Sequence, residues 1–282
     1  MRAGKPSATA IGAAAFRAAH LHLFDGVPIH ADSFALPLMG LPGRDELRSF
    51  IERLDAPAPR RVSAYFALRH RYSEDRLHAA LARGVTQVVL LGAGLDSFAL
   101  RHPQVPSRVS FVEIDHPDTQ RWKLERLAAL GLATPGVHYL PVDFAVQDLA
   151  AELASAGLEQ ARPTFFAWLG VTQYIAERAA LETLSLAARY AAGSEIVLDV
   201  ILPFDGLAPD EREISRAAEL ASRARGEPWL SYFQPEPFAS RLRALGFSRV
   251  DRLAPEAAAA YYVGQPPELT PLHAWQLMAA VV

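Results

Sequence analysis

The sequence predicts an α/β fold: a doubly wound, mostly parallel sheet preceded by an N-terminal helical cap. Three observations carry that expectation. From residue 85 onward, short apolar runs alternate with stretches of helical spacing, the pattern of repeated strand–helix units. The first run, 85–91, ends in the turn Gly92-Ala93-Gly94, as a buried parallel strand does when it enters a ligand-binding turn. Before residue 80 there is no such run, only helical spacing punctuated by Pro and Gly. The division is therefore a cap over 1–80 and a Rossmann-like core over 81–282, read as parts of one domain rather than as two independent units.

Each element follows from its local pattern. Residues 9–22 have apolar helical spacing, with Ser7 or Thr9 as N-cap. Residues 25–43 read as a loop, and 45–54 as a short helix ending before Pro57 and Pro59. Residues 62–82 form a third helix, closed by Arg83-Gly84. Strands are expected at 85–91, 109–114, 137–142, 164–169 and 195–201. The helices between and around them are expected at 118–130, 147–156 and 176–191. An insertion near 203–234 carries a helix at 209–225. A helix at 235–245, closed by Gly246, precedes two final strands at 247–253 and 259–263.

Composition narrows the function. The formal net charge is −3 with no block of like charge, which argues against a nucleic-acid binder. The absence of cysteine excludes disulfides, thiolate catalysis and Cys-ligated zinc. No apolar run is long enough to span a bilayer. Arg17, His20 and His22 interrupt the Ala-rich N-terminal segment that begins Met1-Arg2-Ala3-Gly4. It is not read as a signal peptide, and the cytoplasm is the expected location. Nothing in the pattern specifies an oligomeric state.

The strongest local signal is Leu90-Leu91-Gly92-Ala93-Gly94-Leu95-Asp96. Glycines after a first strand permit a tight turn and close backbone approach by a ligand; a bare structural turn needs the same residues. Glu113 and Asp115 end the second strand, about 20 residues on, where a carboxylate can accept from ribose hydroxyls; a solvated strand end is the plainer alternative. Asp143, followed by Phe144, ends the third strand. It can meet an adenine amino group, with Phe144 on the ring, or cap the helix that follows. A dinucleotide fingerprint would need glycine at position 97, where Ser97 stands, and Asp96 inside the loop would repel a pyrophosphate. S-adenosyl-L-methionine has no phosphate and carries an ammonium and a sulfonium. The sign of the local charge therefore favours it over NAD.

Three segments, LLGAGLDSFALR (90–101), FVEIDHPDTQRWK (111–123) and FFAWLGVTQYI (165–175), together resemble the leucine carboxyl methyltransferase-like family. That branch of the class I methyltransferases includes many bacterial polyketide and small-molecule O-methyltransferases. The Arg-rich stretch from Leu68 to Asp75, Ser7-Ala8-Thr9-Ala10 and Arg17-Ala18 fit the resemblance, which spans about residues 5–265. It implies that Arg69, or its neighbour Arg71, grips the methionine carboxylate of the cofactor. It implies that Gly92 and Gly94 pass the cofactor's backbone, Asp115 binds the ribose, Glu113 buttresses the site, and Asp143 and Phe144 meet adenine. One departure stands out. Protein-directed members carry a glutamate after the fourth strand, near the cofactor's amino group, but this chain reads Trp168-Leu169-Gly170-Val171. The segment 170–174 is still expected to line the pocket.

Methyl transfer asks mainly for alignment. A carboxylate acceptor needs no base, whereas a hydroxyl profits from one. Tyr174 is the candidate to position an acceptor, against the plainer role of a buried structural tyrosine, and Asp199 is a weaker one. His20, His22, Asp25, His30 and Asp32 lack the spacing of a metal motif, so no metal is expected. Phe204, Trp229, Tyr232, Phe233 and Phe238 either wall an apolar pocket or are core, the latter favoured. The expected function is O-methylation of a small-molecule carboxylate or hydroxyl in bacterial secondary metabolism. The alternatives are methylation of a protein or peptide C-terminus and non-catalytic cofactor binding; NAD-dependent reduction ranks behind these.

Overall fold

The computed structural model describes residues 4–144 and 146–282; Met1–Ala3 of the N-terminal stretch lie outside them. Five parallel strands come first: β1 (Gln87–Leu91), β2 (Ser110–Asp115), β3 (Val137–Pro141), β4 (Thr164–Trp168) and β5 (Glu195–Ile201). Every residue of β1, β4 and β5 is buried, as strands covered on both faces must be. Two more strands, β6 (Arg249–Arg252) and β7 (Trp275–Val281), complete a sheet of order β3-β2-β1-β4-β5-β7-β6 among the described residues. β7 inserts antiparallel between β5 and β6.

Alternate strand residues face opposite layers. Val89, Phe166 and Leu198 pack with Leu153 of α7 (Leu149–Ser155), Leu184 of α8 (Glu177–Ala187) and Leu242 of α10 (Pro235–Ala244). Val88, Phe165 and Val197 pack with Leu68, Tyr72 and Leu77 of α4 (Pro59–Ala82). The remaining cap helices are α1 (Ala8–His22), α2 (Ala35–Met39) and α3 (Arg44–Leu54). Ser7 caps α1 by accepting from the Ala10 amide at 3.1 Å. The alanine face of α1, Ala14, Ala15, Ala18 and Ala19, packs with Leu38, Leu47 and Leu95. Helices α5 (Phe98–Arg101) and α6 (Pro117–Ala129) follow β1 and β2, and α9 (Pro209–Ala224) follows β5.

Two expectations are corrected. Residues 259–263 are not a strand. Ala259 ends α11 (Pro255–Ala259), and Ala260–Tyr262 form a 3-10 turn, as an alanine run with high helix propensity favours. The last strand is instead β7, whose Met-Ala-Ala centre has weak strand preference and is held by pairing with β5 and β6. The 25–43 loop also contains α2, closed by Gly40 at φ 80°.

Buried charge bolts the cap to the sheet. Arg17 of α1 donates to Asp32 (2.8 Å) and to the Leu95 carbonyl (2.6 Å). Ser97, at the position a dinucleotide fingerprint reserves for glycine, donates to Asp32 at 2.5 Å. Arg101 of α5 donates through both terminal nitrogens to Glu74 of α4, at 2.8 and 2.5 Å, and His30 lies 3.0 Å from the same carboxylate. Burial alone would raise both carboxyls. The Arg101 hydrogen bonds on Glu74 and the Arg17 charge on Asp32 outweigh it and hold both below the usual carboxylate range. Their stabilisation is complete above the ordinary carboxylate pKa and is lost as pH falls through the lower folded values. Glu74→Gln is expected to cost about 1.5–3 kcal/mol, the range for hydrogen bonds to a charged group, because Arg101 then keeps as ion-pair partner only the Asp32 carboxylate, 3.8 Å away. The loss is read as a lower urea midpoint at unchanged slope. A change within error would show that the web contributes nothing net.

Candidate active site

A cavity of about 410 Å³ opens at the carboxyl ends of β1, β2 and β4, under α1 and α4, the position where open α/β sheets bind ligands. Its floor is the turn after β1. Gly92 and Gly94 have φ of 68° and 54°, and a Cβ on Gly92 would come within 2.4 Å of Val171 Cγ2. Asp115 ends β2 beside this turn. Its carboxylate accepts from the Gly94 amide and from the His116 amide, the latter at 2.6 Å. Burial pushes the Asp115 carboxyl up to about 6 against these hydrogen bonds. Asp96 accepts from the Phe98 amide through Oδ1 at 2.7 Å, which fixes the carboxylate at the cavity wall.

Arg69 reaches the cavity from α4 and is only 5% exposed. It donates to Asp199 of β5 at 3.1 Å and lies 4.6 Å from the Phe66 ring centroid, while its Nε is buried without a partner. Asp199 also accepts from the Gly170 amide (2.5 Å) and the Tyr65 hydroxyl (3.1 Å). Burial, reinforced by Asp199, pushes the Tyr65 hydroxyl well above its ordinary value, so Tyr65 remains a donor. A Cβ on Gly170 would stand 2.6 Å from an Arg69 nitrogen, so glycine there makes room for the guanidinium.

Ala93, Phe144, Leu169 and Tyr174 line the same cavity, together with Gly92, Gly94, Asp96, Asp115 and Arg69. Three other candidates lie elsewhere. Arg71 is on the outer side of α4, paired with Asp75 at 2.9 Å and exposed, because residues two apart on a helix do not share a face. Glu113 is 1% exposed and paired with Lys123 behind the strand; burial pushes its carboxyl up to about 7. It supports β2 rather than facing the cavity. Asp143 is at the rim, 3.8 Å from His116. It does not cap the next helix, which begins at Leu149 with Asp148 as N-cap.

Gln173 lines the cavity within the expected 170–174 segment, whereas sequence reasoning passed over His70, His116, Phe66 and one segment that supplies Gly226, Glu227, Pro228 and Leu230. Glu227 of that segment accepts from Ser7 (3.0 Å), from the Ala8 amide (3.1 Å) and from Thr9. It thereby clasps the start of α1 across the cavity. The His116 side chain was visible as the neighbour of Asp115; the Glu227 contact joins residues too far apart in the chain to leave a local signal.

A second cavity, of about 380 Å³, is mostly apolar, with Phe16, Tyr65, Ile214, Trp229 and Trp275 in its wall. Of the aromatics left open between wall and core, Trp229 lines this cavity, while Phe233 and Phe238 are core. The two cavities share Thr9, Ala13, Phe66, Arg69, Gln173 and Tyr174. Among the described residues no group of three or more His, Cys, Asp or Glu is placed to hold a metal ion. No helix there is long and apolar enough to cross a membrane.

The residues fit a cationic adenosyl ligand: an orphaned buried guanidinium nitrogen for a carboxylate, a glycine cradle, and carboxylates that a pyrophosphate would not tolerate. A family profile described as leucine carboxyl methyltransferase matches residues 10–188. The chain belongs to the leucine carboxyl methyltransferase family. A relative from Bacillus subtilis (strain 168), YktD, named as a proposed S-adenosyl-L-methionine-dependent methyltransferase, is 33% identical over 192 residues, 67% of this chain and 62% of its own length. The chain spans 44–64% of the length of the first curated relatives it matches. A crystal structure from Thermobifida fusca YX, titled as that of a proposed methyltransferase, superposes over 99% of this chain and 96% of its own. The TM-score is 0.61 at 14% identity. A DUF574 family protein from Streptomyces avermitilis MA-4680 covers 86% of this chain and 91% of its own, with TM-score 0.57 at 17% identity. These two likenesses show the fold alone, an open, mostly parallel sheet flanked by helices.

Two predictions follow from the geometry, with the methyltransferase product S-adenosylhomocysteine as calorimetric probe. Asp115→Ala and Arg69→Ala should each weaken binding by about 1.5–3 kcal/mol, the range for a hydrogen bond to a charged group. Arg71→Ala should leave it unchanged, and the reverse pattern would place the wrong arginine in the site. Affinity should also fall as pH drops below about 6, because Asp115 accepts best when ionised. A flat profile from pH 8 to 5 would remove Asp115 from ribose binding.

Proposed function

We propose that the protein is an S-adenosyl-L-methionine-dependent methyltransferase that methylates a carboxylate or hydroxyl oxygen of an apolar small molecule. S-adenosyl-L-methionine is its cofactor in this reading, supplying an electrophilic methyl group for an in-line displacement. The observation that carries the proposal is the meeting, at Arg69, Gln173 and Tyr174, of a cavity walled by Asp96 and Asp115 with one walled by Tyr65, Trp229 and Trp275. An adenosyl ligand in the first and an acceptor in the second would bring their reactive ends together there.

The chain's own residues then orient and exclude water. Arg69, anchored by Asp199, holds a carboxylate with its remaining donors. The Gln173 side-chain oxygen is buried without a partner at the junction, and an acceptor hydroxyl would satisfy it. Tyr174 forms the adjoining wall. The Glu227 clasp keeps α1 over the site, and holding two reactants in line contributes ~7–11 kcal/mol in favourable cases. An aromatic-walled cavity of about 380 Å³ matches a small ring system better than an extended polar peptide. The resemblance to bacterial small-molecule O-methyltransferases supports oxygen as the target and a place in secondary metabolism.

Turnover over a panel of apolar aromatic acids, phenols and C-terminal peptides is the test. Acceptor-dependent S-adenosylhomocysteine release is expected with acids or phenols. Release with peptides alone would overturn the small-molecule reading, and tight cofactor binding without turnover on any acceptor would point to a binding protein. Ala221→Phe, which fills only the second cavity, should raise the acceptor KM at least tenfold and leave cofactor affinity unchanged.

A further inference from the structure

The glutamate that the resemblance places near the cofactor's amino group is replaced by Leu169, which lines the cavity without any charge. A primary ammonium there would still need acceptors. His70 and Asp96, from different elements, face each other across the wall of the same cavity. We infer that these two side chains jointly bind the primary ammonium of the amino-acid moiety, in place of the missing acid. The inference rests on the cofactor reading above.

The tautomer of His70 is dictated by its surroundings. Its Nδ1 lies 3.0 Å from the Phe66 carbonyl oxygen, which can only accept, so Nδ1 carries the proton. The imidazole is neutral, because burial first, then the charges of Arg17 and Arg69, hold its pKa well below the ordinary value. Nε2 is therefore a bare acceptor. It stands 3.8 Å from Asp96 Oδ2, too far for a hydrogen bond and between two groups that both lack a proton to share. Such a pair of lone-pair donors is repulsive alone and becomes favourable when one N–H-rich cation touches both. An ammonium offers three N–H donors and can contact two acceptors at that separation. The other Asp96 oxygen is committed to the Phe98 amide, and Nδ1 to the α4 backbone, so both acceptors are held rigid before the ligand arrives. Arg69, the residue next to His70, supplies the complementary cation for the carboxylate of the same amino-acid moiety.

Calorimetry with two ligands tests this: S-adenosylhomocysteine, and its analogue lacking only the amino group. The wild-type protein should bind the first at least tenfold more tightly, as expected for hydrogen bonds to a charged group. His70→Phe and Asp96→Asn should each remove most of that preference, while the affinity for the deaminated analogue stays within about threefold of wild type. Leu169→Glu in the His70→Phe background should restore it. Equal losses for both ligands would show that His70 and Asp96 merely shape the cavity, and an undiminished preference in both variants would place the ammonium elsewhere; either result overturns the inference. Failure of the wild-type protein to bind either ligand would instead sink the cofactor reading, and this inference with it.

Discussion

The buried ion pair between Arg69 and Asp199 is the constraint on which the rest of the site depends. It joins the cap helix α4 to the interior strand β5 with both partners almost wholly out of water. Two charges taken from water remain stable only if their other hydrogen-bonding capacity is met. Asp199 meets it with the Gly170 amide and the Tyr65 hydroxyl. Arg69 does not, since its Nε has no partner. The pair therefore pins three chain segments, α4, the turn after β4 and β5, around one point and leaves one Arg69 donor unmet in a side chain that lines both cavities.

Around that point the charges sort by role. Those of the cap web, Arg17, Asp32, Arg101 and Glu74, are matched among themselves and act as bolts. Glu113 and Lys123 do the same behind β2. The carboxylates of Asp96 and Asp115 face the cavity with part of their accepting capacity left over after their backbone contacts. Unmet capacity in a partly dry crevice is what a ligand can exploit. Its negative sign is the physical reason that a cationic adenosyl compound suits the site and a pyrophosphate does not.

Much of this was legible in local sequence. The glycine turn, Asp96, Ser97 and Asp115 lie within two neighbouring strand ends, and their arrangement follows from strand order and turn chemistry alone. Strands β1, β4 and β5 stood out because burial on both faces favours near-continuous apolar runs. The choice between Arg69 and Arg71 was not legible, since it turns on which face of α4 meets the sheet. Nor was it legible that Glu113 turns inward to Lys123 while Asp143 lies at the rim beside His116: a strand-end acid can do either, and the chain reads the same in both cases.

The sequence by itself determined the fold class, the position of the crevice and the sign of its charge, because each is encoded by residues close together in the chain. Only the tertiary structure decided that β7 enters between β5 and β6, that Glu227 clasps the start of α1, that an aromatic-walled cavity meets the first one at Gln173 and Tyr174, and that His70 faces Asp96. These pairings join segments whose separation carries no period. They are selected by the packing of whole layers, in which burial and charge satisfaction are settled together.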